Sequence, residues 1–148
     1  MAATGTCTYL AAKELNLWFN AATYTFPGTF FLAVDTGTVG AAGLQFEVSS
    51  GNGYAELSVT ANTTNFPTIT ATNIIVNGAS GTLSFATATG NWTGNSGANT
   101  TCKGLVVKDL GTIGSGNSLF FGANTTAETV VINDVLQYTP GNFSVTFN

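Results

Sequence analysis

The sequence predicts a mainly β protein, an antiparallel β-sandwich or jelly-roll-like barrel preceded by one N-terminal helix. The first observation is a series of short runs rich in β-branched and aromatic residues after Pro27. The second is that Gly, Asn, Asp and Pro separate these runs at intervals of about ten residues, a spacing typical of sandwiches and barrels. The third is a supply of 26 threonines, 15 asparagines and 18 glycines, which suits pleated strands joined by tight turns.

A length of 148 residues suits one domain. We expect an N-terminal arm at residues 1–7 and a single domain at residues 8–148, with a helix at 8–22 and the β-sandwich at 27–148. The predicted strands are residues 29–35, 44–48, 54–61, 69–77, 82–88, 103–110, 118–123, 128–132, 136–139 and 143–147. The strongest turn signals are the dipeptides Asn52-Gly53 and Asn77-Gly78.

The prediction of the N-terminal helix depends on the one helical pattern in the sequence. Thr8 is a candidate N-cap, because its hydroxyl can accept a backbone N–H bond at the start of a helix. Apolar residues then recur with helical spacing on one face. These residues are Ala11, Leu15, Trp18 and Ala22, with Leu10 and Phe19 beside them.

Residues 1–7 are small and polar without periodicity, so we interpret them as an arm rather than a core element. An arm of this kind can become ordered on a partner protein. The candidate partner-contact residues are Ala2, Thr4 and Thr6, together with Trp92 in a later loop.

Residues 89–101 form the longest polar, Gly/Asn-rich stretch, which predicts an exposed loop. Trp92 lies within it and has two interpretations. An aromatic ring on such a loop can contact a partner or stack on a sugar, or it can fold back as a lid on the core.

Charge is scarce, with no histidine, no arginine, three lysines and seven carboxylates for a net charge of −4. Three lysines cannot form the basic footprint that phosphate groups require, so we expect no nucleic-acid partner. The sequence has no apolar run long enough to span a membrane and no signal-peptide pattern at its start, so we expect synthesis in a cytosol and no membrane partner.

Catalytic chemistry has few candidates in this sequence, and we expect no enzyme, no cofactor and no metal site. Glu47 and Glu56 flank a turn and could form a glycosidase pair, but carboxylates at strand ends are more often solvated charges. No histidine is present to activate a nucleophile, and the lysines at 13, 103 and 108 are in no Ser-x-x-Lys pattern. The Gly-rich segment 111–116 lacks the lysine of a phosphate loop and is interpreted as a connection between strands.

Calcium is the metal that Asp and Asn oxygens would suit, but Asp35 and Asp134 are not part of an EF-hand pattern. Cys7 and Cys102 could pair only if the fold brings their Cα atoms within about 7 Å. In a reducing compartment we expect two free thiols.

A set of short segments, spread over nearly the whole chain, forms a further pattern. It consists of Tyr9-Leu10 in the helix and of the segments 29–34, 47–55, 86–92, 103–109, 116–123, 133–136 and 142–147. Together these segments resemble a family of small virion structural proteins of tailed bacteriophages, whose members are often labelled tail fibre. The chain departs from the family pattern in having no arginine after Tyr54-Ala55 and in an Asn/Gly-rich insertion around residues 93–101.

The resemblance implies a virion structural protein, made in the cytoplasm of the bacterial host. A fibre needs length from coiled coils or repeats, which this sequence lacks, so we favour a capsid decoration (cement) protein on the capsid surface. Its partners would be the major capsid protein and copies of itself. The alternative is a tail-tip or tail-fibre module that contacts host surface glycans.

The structure offers a way to distinguish these hypotheses. A cement protein should have an apolar patch near the arm, a glycan binder should have aromatic rings on one exposed face, and an enzyme should have paired carboxylates in a cleft.

Overall fold

The computed structural model describes residues 4–66, 68–69, 73–76, 81–95, 99–139 and 143–146. The elements in chain order are β1 (Thr4–Thr6), α1 (Thr8–Phe19), β2 (Thr29–Asp35), β3 (Leu57–Thr60), β4 (Thr68–Ile69), β5 (Asn73–Val76), β6 (Leu83–Ser84), β7 (Cys102–Lys108), β8 (Ser118–Glu128), β9 (Gln137–Tyr138) and β10 (Phe143–Thr146).

The largest sheet has five antiparallel strands in the order β1-β8-β7-β2-β3. Two smaller antiparallel sheets have the orders β10-β5-β4 and β6-β9. The prediction of a mainly antiparallel β fold with one N-terminal helix is therefore confirmed. In the described part of the chain the sheets do not close into a barrel.

One face of the five-stranded sheet carries the main core. Because side chains alternate along a strand, Leu32 and Val34 of β2 lie on the same face as Leu105 and Val107 of β7. A second layer made of segments 83–92 and 130–138 packs against them. Its backbone N–H groups at Phe85, Ala88 and Trp92 donate to the carbonyls of Leu136, Asp134 and Val130.

The opposite face of the sheet carries a smaller cluster of Cys7, Val106 and Phe121. Cys102 belongs to the main core, so the sheet separates the two cysteines. Both are buried free thiols, which confirms that expectation. Burial raises the pKa of each thiol to about 12.

The beginning of the chain differs from the sequence interpretation. Residues 4–6 form β1, an edge strand paired with residues 120–122 of β8. Cys7, not Thr8, is the N-cap residue, and the Thr8 hydroxyl donates to the carbonyl of Ala41 at 3.0 Å. The helix ends at Phe19 rather than near residue 22, because Ala21 adopts a left-handed backbone conformation with φ of 50°.

The predicted and observed strands differ most at residues 44–48. These residues form no strand and make only isolated bridges, from Glu47 to Asp35 and from Val48 to Gly94. The Asp35 carboxylate accepts the N–H groups of Gly37, Gln45 and Phe46, and such side-chain bonds replace a ladder. The predicted strand 118–123 is present and extends to Glu128 as β8, whereas residues 129–132 of the predicted strand 128–132 form no strand. The turn at Asn52-Gly53 is confirmed by positive φ at both residues, and Asn77-Gly78 lies outside the described residues.

Candidate functional site

The predicted partner-contact residues lie in different environments. Ala2 is outside the described residues. Thr4 and Thr6 are paired through their backbones with Gly122 and Phe120 of β8. The Thr6 hydroxyl is buried and has no hydrogen-bond partner among the described residues.

Trp92 is part of the core, with 1% of its surface exposed. Its indole N–H donates to the carbonyl of Asn52 at 3.0 Å. Its ring meets Tyr54 edge-on at 5.1 Å and Phe85 at 6.1 Å between centroids. The lid interpretation is confirmed, and the ring is not on the surface. The predicted exposed loop is therefore packed at Trp92 and at buried Gly94, while residues 96–98 lie outside the described part.

Glu47 and Glu56 are brought together around Lys108, and the expectation that they are solvated charges is wrong. The Lys108 ammonium donates to Glu47 Oε2 at 3.3 Å and to Glu56 Oε1. The three charged side chains are almost fully buried. We call Glu47, Tyr54, Glu56 and Lys108 the Lys108 cluster.

The cluster joins charged groups whose backbones lie beside different ends of β2. Lys108 is the last residue of β7 and pairs with Phe31 of β2, while Glu47 is bridged to Asp35 at the other end of β2. The Tyr54 hydroxyl donates to Glu47 Oε1 at 3.2 Å and accepts the N–H of Val34 at 3.0 Å. Tyr54 therefore links the charged groups to the aromatic core around Trp92.

The Gly-rich segment 111–116 connects β7 to β8, as predicted, and it also closes the cluster. The N–H of Gly114 donates to Glu47 Oε2 at 2.8 Å. The carbonyl of Thr112 accepts the third N–H of the Lys108 ammonium at 3.0 Å. A lysine has three donors, and all three are used inside the protein.

Two groups of the Lys108 cluster, Glu56 and Tyr54, have raised pKa values. Burial, followed by the neighbouring carboxyl of Glu47, raises the pKa of Glu56 to about 7 against the opposing effect of Lys108. Burial and Glu47 also raise the pKa of Tyr54. Glu56 Oε2 is buried without a hydrogen-bond partner among the described residues, so Glu56 can hold a proton near neutral pH.

An open pocket of about 440 Å³ lies beside Glu56, with Phe31, Tyr54 and Thr112 among its lining residues. Glu56 Oε2 is closed off from solvent, so a ligand would reach this oxygen only if the cluster opened. Elsewhere in the described ranges, no group of three or more Cys, Asp or Glu side chains is placed to hold a metal ion.

The helix carries the largest exposed apolar side chains of the described residues. Trp18 is 71% exposed, Phe19 78% and Leu15 54%. At 3.6 residues per turn, Leu15 and Phe19 lie on the face opposite buried Leu10, and Trp18 lies beside Leu15. We call Leu15, Trp18 and Phe19 the helix surface.

Sequence spacing identified the apolar stripe of the helix but not its direction. Leu10, treated as a flanking residue, is the one that packs into the protein. The small and polar residues at 4–6 did not predict a strand. They therefore did not show that β1 pairs with the edge of the sheet and sets the orientation of the helix. The helix surface and the buried Lys108 cluster were both missed as sites for this reason, because each depends on tertiary packing.

These features define the class of the protein: a small antiparallel β protein that presents an apolar helix next to its N-terminal strand. The helix is too short to cross a membrane, and the rest of the described chain has no helix that could do so.

The model of the family described as "Podophage GP4 fiber I protein gp80" matches residues 5–146. The chain belongs to this family, and it is a phage virion structural protein. The resemblance seen in the sequence is thereby confirmed. A search of curated proteins found no match.

Proposed function

We propose that this chain is a structural subunit of a phage fibre and that it works through protein contacts rather than through catalysis. The family match over residues 5–146 carries the proposal, because the description of the family names a fibre protein. The exposed helix surface supports it, since large apolar patches on soluble proteins commonly mark contacts with other proteins.

The Lys108 cluster supports a structural role for the buried charges. A glycosidase needs a sugar between its two carboxyl groups. Here the Lys108 ammonium bonds to both carboxylates, and the Glu47 carboxylate also accepts bonds from Tyr54 and Gly114. Bonds of this kind tie segments 47–56 and 111–116 to the end of β7.

Location on the particle tests the proposal. Purified virions would be labelled with gold-conjugated antibodies raised against this chain and viewed by electron microscopy. Label on fibres is the expected result. Label spread over the head would overturn the fibre assignment and leave the broader structural assignment in place.

A second candidate is a capsid decoration protein that bridges subunits of the major capsid protein. The exposed apolar side chains of the helix that follows β1 favour it, since a cement protein is expected to have an apolar patch near the N-terminal segment. Quantitative mass spectrometry separates the two candidates, because a decoration protein is present in hundreds of copies and a fibre subunit in far fewer. Glycan contact through Trp92 is not proposed, since that ring is buried.

A further inference from the structure

We infer that the side chains of Lys108 and Glu56 become joined by a covalent amide (isopeptide) bond, which the folded protein forms by itself with release of one water molecule. The Lys108 ammonium is in direct contact with Glu56 Oε1, and both side chains are almost fully buried. The ion pair of the Lys108 cluster is the state from which this bond forms. The inference goes beyond the proposed function, because it concerns a modification of the chain and not its place on the particle.

The contact holds the two reacting groups in position. Bound groups react from a separation of about 3–3.5 Å, and an amine that touches one carboxyl oxygen keeps its nitrogen at about this distance from the carboxyl carbon. The side chains of Lys108 and Glu56 are 1% and 3% exposed, so both are held away from bulk water. Groups fixed in this way react as if they were present at about 10⁵–10⁸ M. This favours an amide that would not form between free side chains in water.

The two carboxyl groups beside Lys108 differ, and the difference assigns their roles. Glu47 is fixed in position by the bonds that it accepts from the Tyr54 hydroxyl and the Gly114 N–H. Glu56 Oε2 is buried without a hydrogen-bond partner among the described residues, and the pKa of Glu56 is raised to about 7, chiefly by burial. A protonated carboxyl can be attacked by an amine, whereas a carboxylate resists attack. Glu56 is therefore the group attacked, and Glu47 is the base.

The reaction balances without an external reagent. Glu47 Oε2, 3.3 Å from the Lys108 nitrogen, takes one proton from the ammonium and leaves a neutral amine. The amine nitrogen forms a bond to the carboxyl carbon of protonated Glu56, and the bond from that carbon to its hydroxyl breaks. The hydroxyl takes the proton from Glu47 and leaves as water, and Glu47 takes a second proton from the nitrogen. The nitrogen keeps one hydrogen, as in any such amide, and nothing is oxidised or reduced.

The burial of charge also favours the amide. Taking two charges out of water costs free energy that their mutual attraction only partly offsets. The amide is neutral, and its N–H can keep the bond to the carbonyl of Thr112 that the ammonium makes at 3.0 Å. An open pocket of about 440 Å³ lies beside Glu56, so the released water has only a short way to solvent.

The bond joins two strands that do not pair with each other. Glu56 precedes β3 and Lys108 ends β7, and β2 lies between these strands in the sheet. A link between positions 52 residues apart closes a covalent loop, which restricts the unfolded chain. A pull on the two chain ends would pass through the new bond and not through the residues inside the loop, which suits a subunit of a fibre.

Intact-mass spectrometry of the folded wild type during incubation at neutral pH tests the inference. We expect the mass to fall by one water molecule. Trypsin cleaves after free lysines, so the linked chain should yield a branched peptide that joins residues 14–103 to residues 104–148. A succinimide at an aspartate also loses water but yields no branched peptide. A folded wild type of unchanged mass, or a link at a different lysine, would overturn the inference.

Glu47→Gln tests the proton transfer, because it removes the base and keeps the shape of the side chain. We expect it to slow the linking by about 100-fold or more, as loss of a general base does. Glu128→Gln, at an exposed carboxylate, is the matched control and should link at the wild-type rate. If the two variants, both folded by circular dichroism, link equally fast, the role assigned to Glu47 is wrong. Unfolding measurements on the ion pair use freshly folded chains, whose intact mass shows that they are unlinked.

Discussion

The region around Trp92 and the region around Trp18 distribute polar and apolar groups in opposite ways. Near Trp92, Tyr54 connects an aromatic core to buried charges that bond to one another. Near Trp18, aromatic rings face solvent at the end of a helix, and Glu14 lies one turn before Trp18. Three of the ten charges in the chain are thus used to join internal segments, whereas Leu15 and Phe19 have no charged residue three or four positions away on the helix. The difference shows that hydrophobicity alone does not indicate which tryptophan is structural.

The sharpest way to test this contrast is to truncate each tryptophan. Trp92→Ala removes a buried ring and its bond to Asn52, so we expect it to lower the free energy of unfolding by about 3–5 kcal/mol. Trp18→Ala is the matched control and should change it by less than about 0.5 kcal/mol in dilute solution. Urea unfolding followed by circular dichroism measures both values. Equal losses would contradict the division into a buried core around Trp92 and an exposed helix surface around Trp18.

The next largest effect is expected from Lys108→Met, because it leaves Glu47 and Glu56 buried without their cation. Removing one partner of a buried pair costs about 3–5 kcal/mol, and uptake of a proton by Glu56 should keep the loss near 3 kcal/mol. Lys103→Met on the same strand is the control, since Lys103 is exposed. If both variants unfold at the same urea concentration, the Lys108 cluster does not hold the sheet connections together.

A smaller effect concerns pH. The pKa of Glu56 is about 7 in the folded protein against 4.5 as its ordinary value, so the folded state binds the extra proton between these limits. The contribution of Glu56 to stability is therefore full below about pH 4.5 and is lost as the pH rises through 7. Glu56→Gln, which mimics the protonated carboxyl, should remove this fall.

Urea titrations at pH 5, 6, 7 and 8 provide the measurement for Glu56. The stability of the wild type relative to Glu56→Gln should decrease with each step up to pH 7 and then level off. Glu128→Gln, at an exposed carboxylate, should keep the wild-type trend. A constant difference between the wild type and Glu56→Gln would contradict the raised pKa.

The sequence predicted the β class, the helix and several strands because their patterns are local. Alternation and turn residues identified the runs that became β2, β7 and β8, and Asn52-Gly53 identified a turn. Burial of the Lys108 cluster depends on residues up to 67 positions apart, such as Glu47 and Gly114, so local spacing could not reveal it. The orientation of the helix likewise depends on the pairing of β1 with a strand near the other end of the sequence.

The pairing of β1 with β8 also affects the order of events during synthesis. Residues 4–6 bond to residues 120–122, so their place in the sheet does not exist until most of the chain has been translated. At about 5–20 residues per second, a ribosome needs roughly 6–23 s to proceed from residue 6 to residue 122. Throughout that interval residues 4–6 have no strand to pair with, and the helix that follows them lacks the β8 surface on which it packs. A helix of 12 residues is marginal in water by itself, so the N-terminal segment joins the fold among the last of its parts.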